Sequence, residues 1–336
     1  MWKKNIFRKS ETSEKPGTLT PMNPTQQAEA AVTTQAARIT GAATAPAKHA
    51  PADAAASLPP AIAALSGHWK EYAMEGAELG AFMIAACLFG AILQLPESPV
   101  ARLFPGGGIR RVLMGIAMAL SALAIIYSPW GKQSGAHLNP AVTLTFLRLK
   151  KVRGWDALFY VIFQFAGGIA GVLFIGLFIG SQLAQPAVNY VVTVPGKEGT
   201  LAAFAVEFLI AFITMTVVLR SSNHPRWSHY TGYFVAILIA LYIALTAPIS
   251  GMSMNPARTT ASAVGANVWT AIWLYFTAPP VGMLAAAEIY LHGSGQKSVF
   301  CAKLHHHNGR RCIFNCRFGE LAAQSSIPLP TSTKQN

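Results

Sequence analysis

Two stretches decide the reading of this chain: SGAHLNPAVTLTFLRL at residues 134–149 and SGMSMNPARTTASAVG at residues 250–265. Each is apolar or small, and each is too short to cross a bilayer, which takes about 20 apolar residues. Asparagine is a favoured N-cap, and proline is favoured at the first helical position, where its missing N–H costs nothing. Asn139-Pro140-Ala141 and Asn255-Pro256-Ala257 therefore each predict the start of a short helix. A single copy would read as an ordinary loop tripeptide. Two copies at matching places in two apolar halves do not.

The surroundings repeat as well. Six apolar runs are long enough to span, at about 73–95, 111–129, 155–180, 201–220, 230–248 and 269–291. Each half reads as a span with an early glutamate, a second span, the Asn-Pro-Ala segment and a third span. Ala77-Glu78-Leu79-Gly80 opens the first half and Val206-Glu207-Phe208-Leu209 the second. Three spans per half is an odd number, so the halves must insert in opposite orientations. Such inverted repeats place their functional site near the midplane, where discontinuous helices meet. A helix can begin inside hydrocarbon only if protein or a water-filled cavity satisfies its free N–H groups. Each asparagine can cap its own helix through its oxygen and leave its NH₂ facing a lumen. The two helix N-termini add about half a positive charge each. A lumen of this kind passes neutral hydrogen-bonding molecules and opposes cations and protons. Gly76/Gly80, Gly167/Gly171 and Gly176/Gly180 stand four apart inside spans. That spacing lets helix backbones approach closely in lipid; the alternative is glycine as tolerated filler.

Composition agrees. Of 336 residues, 52% are hydrophobic and 12% charged, with mean hydropathy +0.38. Soluble domains carry about 25% charged residues, so an ordinary soluble enzyme is excluded. The net charge of +13 would suit a nucleic-acid binder, but 14 of the 26 Lys and Arg lie in residues 1–70 and 292–336. The domains read as a disordered cytoplasmic tail over 1–70, a channel body over 71–293 (repeats about 73–180 and 201–291), and a basic cytoplasmic tail over 294–336. A short helix around Ala61–Tyr72 fits ahead of the first span. Arg148, Lys150, Lys151 and Arg153 in one connection and Arg220 and Arg226 in another put both termini in the cytoplasm, in a plasma or inner membrane. No apolar segment follows the early lysines as a cleavable signal would require.

At this point the sequence resembles the aquaporin family, the major intrinsic proteins, over about residues 73–291. The resemblance rests on SGAHLNPAVT, SMNPAR, Glu78, Glu207, Gln164 in YVIFQFAGGIAG, and Pro279-Pro280-Val281-Gly282. It implies an all-α membrane protein with six transmembrane helices and two re-entrant half-helices. It also implies one pore per subunit and a homotetramer. Arg258 becomes the arginine of an outer selectivity constriction, and Glu78, Glu207 and Gln164 become braces of the Asn-Pro-Ala loops. Gly135, Ala136, His137, Leu138, Gly251 and Ser253 become pore carbonyls.

The remaining filter positions decide the solute. Three residues before Asn255 stands Met252; nine before that stands Ile243, where water-specific members resemble one another in having histidine. The second-span position falls on Ala119 or Leu120, because YSPWGKQ leaves the spacing open by one. A slip of one residue would replace Ile243 by Tyr242. These aliphatic residues predict a wider, less polar constriction. Thr259, where glycerol-conducting relatives commonly have aspartate, and Tyr275-Phe276 pull toward the water-channel pattern. The expected partners are water, small neutral solutes such as glycerol and urea, and membrane lipid, with no nucleic acid and no cofactor.

The C-terminal CAKLHHHNGRRCIFNCRF stands apart. Cys301, His305, His306, His307, Cys312 and Cys316 offer ligands able to close a tetrahedral zinc site. The spacing lacks a Cys-x-x-Cys pair, and a basic juxtamembrane tail on anionic lipid is the other reading. Three function classes follow: a passive channel, a coupled secondary transporter, and a non-conducting structural membrane protein of the same fold. A transporter would want intramembrane carboxylates at the midplane, where this sequence has asparagine. No nucleophile–base pair or phosphate loop supports an enzyme.

Overall fold

The computed structural model describes residues 59–324; the tail expected over 1–70 lies mostly outside these described residues, as do 325–336. The described part is helical, with no strand among its residues. The long helices are α1 (Pro60–Gln94), α2 (Gly107–Tyr127), α4 (Gly154–Ile179), α5 (Gly199–Ser222), α6 (Thr231–Ser250) and α8 (Ile272–Ser294). Between them lie the half-helices α3 (Pro140–Arg148) and α7 (Pro256–Ala266), and α9 (Phe318–Gln324) comes last. The six long helices are apolar and long enough to cross a membrane.

α1 takes in the short helix expected around Ala61–Tyr72. Pro60 opens it, no breaker interrupts it, and the Tyr72 hydroxyl donates to Asp156 of α4 at 2.5 Å. α1 packs most extensively on α4 and α5 on α8, the same pairing in each half, and α2 packs on α6 across the two halves. Glycine sets the α1–α4 distance. A Cβ on Gly167 would stand 2.0 Å from the Gly76 carbonyl oxygen, and one on Gly171 would stand 2.4 Å from that of Gly80. Gly176 and Gly180 differ, because nothing lies within 4 Å of a Cβ added at either. That pair faces outward and carries no helix contact.

Side chains that turn away from the bundle are large and apolar: Leu177 is 82% exposed and Leu201 83% exposed. Water would penalise such a surface, whereas lipid accepts it, and helices satisfy most of their backbone hydrogen bonds internally.

The segment after α8 does not trail away. Val299, Ala302, Leu304, Ile313, Phe314 and Phe318 are buried in one apolar cluster with Phe146 of α3 and Met215 of α5. Lys303 Nζ donates to the carbonyls of Lys132 (2.8 Å) and Arg311 (2.7 Å), and burial lowers this amine from its ordinary range. Asn315 N–H donates to Lys151 O at 2.9 Å, which places the segment beside the basic 148–153 connection.

Candidate functional site

The two half-helices begin as their sequences predict. Asn139 and Asn255 are extended N-caps followed by proline. Asn139 Oδ1 accepts from Ala141 N–H at 2.9 Å. Asn255 Oδ1 accepts from Ala257 N–H at 3.0 Å and from Arg258 N–H at 3.1 Å. The amide nitrogens do something the sequence did not reveal: each crosses to the opposite loop. Asn139 Nδ2 donates to Met254 O and Asn255 Nδ2 to Leu138 O, both at 2.7 Å. One N–H of each amide thus ties the two loops together, and only the second can serve a lumen.

The loops match residue by residue. Gly135 and Gly251 turn them with φ of 106° and 75°, a left-handed conformation that glycine adopts without strain. Ala136 and Leu138 in one loop, and Met252 and Met254 in the other, also have φ near 50°. Tyr160 of α4 donates its hydroxyl to Ser134 O, and Tyr275 of α8 to Ser250 O, each at 2.6 Å.

The carboxylates that hold these loops correct the sequence reading. Glu207 accepts from Ser253 N–H (2.9 Å), Met254 N–H (2.7 Å) and the Ser250 hydroxyl (2.7 Å), as a loop brace should. Its counterpart is Glu75. Glu75 accepts from His137 N–H and Leu138 N–H, both at 2.8 Å, and from Gln164 Nε2 at 3.0 Å. Glu78 takes only the Ser134 hydroxyl, at 2.9 Å and 3.1 Å to its two oxygens. Gln164 acts by steadying Glu75 and by donating to the Thr143 hydroxyl at 3.2 Å.

A cavity of about 410 Å³ runs between the halves. Ala136, His137, Leu138, Gly251, Met252, Ser253, both asparagines and Arg258 line it, whereas Gly135 does not. Ile243 lines it and Tyr242 does not. On α2 the register differs. Met114 and Met118 face the cavity; Ala119 packs inside the bundle and Leu120 is 60% exposed. The residue that faces the cavity is set by how α2 packs on α6 and α1. Otherwise the walls are mostly methionine and aliphatic, with Thr214 among the few added polar groups.

Arg258 stands in this apolar wall with its guanidinium Nη1 buried and without a hydrogen-bond partner among the described residues. A buried, unpaired cationic donor is costly in a membrane segment, which makes Arg258 a candidate functional residue.

The His137 side chain is also engaged. Its ring is buried between Phe146 and Phe314, stacked at 5.3 Å and 5.4 Å. Its Nδ1 meets Thr143 Oγ1 at 3.1 Å and its Nε2 meets Ala302 O at 2.9 Å. Leu304 N–H donates to Gly135 O at 3.1 Å, and the Leu304 side chain lines the cavity. The C-terminal segment is therefore part of the site. Among its candidate ligands, Cys301, His306, Cys312 and Cys316 come together, while the His305 ring packs 4.6 Å from that of Tyr127 and lies outside the group. Burial lowers His305 to about 4, so its ring is neutral.

Fold and site define an all-helical, multi-pass membrane protein of two matched halves around one cavity. Residues 63–290 match the Major intrinsic protein family, and the chain belongs to that family. Its members are channels and not enzymes. The chain is 32% identical over 196 residues to Aquaporin NIP2-3 of Zea mays, covering 58% of this chain and 63% of that protein. It is 32% identical over 177 residues to Glycerol uptake facilitator protein-like 6 of Lactiplantibacillus plantarum, covering 52% and 81%. The match to Aquaporin NIP6-1 of Arabidopsis thaliana covers 57% of that relative, so this chain spans well under two thirds of some relatives' length. The X-ray structure of the aquaglyceroporin from Plasmodium falciparum has the same fold, with TM-score 0.54, 19% identity, and coverage of 66% of this chain and 95% of that one.

Proposed function

We propose that the protein is a passive channel for water and small neutral solutes of the glycerol and urea type. The observation that carries this reading is the reciprocal Asn139–Met254 and Asn255–Leu138 pairing inside one cavity. It leaves two amide donors and two helix N-termini at the narrow middle of an apolar path. Among the described residues no carboxylate lines the cavity, which favours passive passage over ion-coupled transport. Arg258, Met252, Ile243 and Met118 form the selectivity constriction, with Arg258 donating to the solute and repelling cations. The carbonyls of Ala136, His137, Leu138, Gly251 and Ser253 accept from solute as it passes. The outward apolar faces suit lipid and a homotetramer, each subunit with its own pore. The basic 148–153 connection and the C-terminal segment share one side, which supports cytoplasmic termini in a cell membrane.

Stopped-flow light scattering on proteoliposomes tests the reading with water, glycerol and urea in turn. All three should pass faster than through protein-free vesicles, independently of ion gradients. Ile243→His should keep water permeation and reduce glycerol and urea. Arg258→Ala should weaken discrimination against cations by about tenfold, equivalent to about 1.4 kcal/mol. Background permeability to all three solutes would reject the channel, and gradient-driven accumulation would replace it with a transporter.

A further inference from the structure

The C-terminal segment gathers four ligand side chains that the channel reading does not use. Cys301, His306, Cys312 and Cys316 bring one ligand atom each to within 4.8 Å of one another. Cys301 Sγ and Cys312 Sγ are 3.6 Å apart, and Cys316 Sγ is 3.1 Å from His306 Nε2. A tetrahedral zinc ion with Zn–S near 2.3 Å and Zn–N near 2.0 Å has ligand–ligand edges of about 3.5–3.8 Å. The Cys301–Cys312 separation already matches such an edge, the Cys316–His306 separation is slightly short of it, and the longest separation in the group exceeds it by about 1 Å. The sulfurs are not disulfide-bonded, since that bond is about 2.05 Å long, and all four cysteines of the chain are free.

The surroundings fit a metal as well. The His306 ring stacks on Phe318 with centroids 4.3 Å apart, which fixes its orientation as an outer partner does for a ligating imidazole. Cys301 is buried and Cys316 exposed, giving the ion an anchored floor and an entry path. Cys₃His is also a donor set that closed, structural zinc sites use.

Two of the ligands bracket the part of the segment that enters the cavity mouth. Between Cys301 and His306 lie Ala302, whose carbonyl faces the His137 ring, and Leu304, whose side chain lines the cavity. We propose that Cys301, His306, Cys312 and Cys316 bind one thiophilic divalent cation of the zinc class, and that the bound ion holds residues 302–304 in the mouth as a closing cap. The site stands on its own geometry; the closing action rests on the channel reading.

The test uses purified full-length protein, with zinc or cobalt chloride as the only added ligand. Wild type should retain zinc at one ion per chain and give a thiolate-to-cobalt absorption band. Cys316→Ser, at an exposed position, and His306→Gln should lose both. In proteoliposomes, chelating the zinc on the tail side should raise water permeability several-fold. Leu304→Ala should be open with zinc still bound. Absence of both metal and cobalt band, or a Cys301–Cys312 disulfide found by alkylation without reductant, overturns the site. Stoichiometric zinc with permeability unmoved by chelation and by Leu304→Ala overturns the cap and leaves the site. Background permeability in every state with zinc bound overturns the channel and the cap, again leaving the site.

Discussion

Gly167→Val is expected to leave almost no correctly assembled protein. The new Cβ would lie 2.0 Å from the Gly76 carbonyl oxygen, a backbone atom that no rotamer change can move aside. α1 and α4 would have to part along their most extensive contact. In lipid, helix association depends on close packing and not on a hydrophobic drive, so a lost seam is not replaced by another apolar face. Overpacking costs about 1–3 kcal/mol even where neighbours can shift, and here they cannot. Gly176→Val, with nothing within 4 Å of the added Cβ, is the control and should behave as wild type. The fraction of monodisperse protein in detergent and the thermal midpoint read the result. Equal behaviour of the two variants would show that the glycine seam does not set the α1–α4 distance.

Removing the Glu75 carboxylate should be far more damaging than removing that of Glu78. Glu75→Leu strands the N–H groups of His137 and Leu138 and one N–H of the Gln164 amide, which keeps only its bond to Thr143. Each unsatisfied buried donor costs about 1–3 kcal/mol, so the sum is several kcal/mol and the first loop should collapse. Glu78→Leu strands only the Ser134 hydroxyl, which can rotate to another acceptor. Glu207→Leu should resemble Glu75→Leu, because it too frees two loop N–H groups and a hydroxyl. Thermal midpoints together with water permeability distinguish the cases. A Glu78 variant as damaged as the Glu75 variant would undo the assignment of the brace.

Spans, repeat and half-helices were legible because each depends on local chemistry: apolar length, N-cap asparagine and the following proline. The residues that failed to be legible depend on register. Glu75 and Glu78 lie three apart, about 4.5 Å along one helix and about 60° from the same face, so a sequence pattern offers both as the brace. Only the loop's position chooses between them. Likewise Met118 and Ala119 differ by one step on α2, and the packing of α2 on α6 and α1 decides which meets the cavity. The fate of the C-terminal segment was hidden for another reason. Its buried residues, such as Val299, Leu304 and Phe314, are interspersed with lysine, arginine and histidine, a composition that reads as solvated tail until a partner surface is known. His137 is that partner, and its side-chain role could not be inferred without it.

The left-handed, side-chain-bearing residues of the two loops have a consequence for biogenesis. Ala136, Leu138, Met252 and Met254 hold a backbone conformation that costs about 1–2 kcal/mol at each non-glycine position. Such loops will not form by themselves on a nascent chain. Each carboxylate that holds one lies upstream of it, on the first helix of its own half. During synthesis from the N-terminus, Glu75 and Glu207 are therefore already in the membrane when the loops they must receive emerge. The order of residues along the chain is also an order of assembly, with the acceptor delivered before its donors.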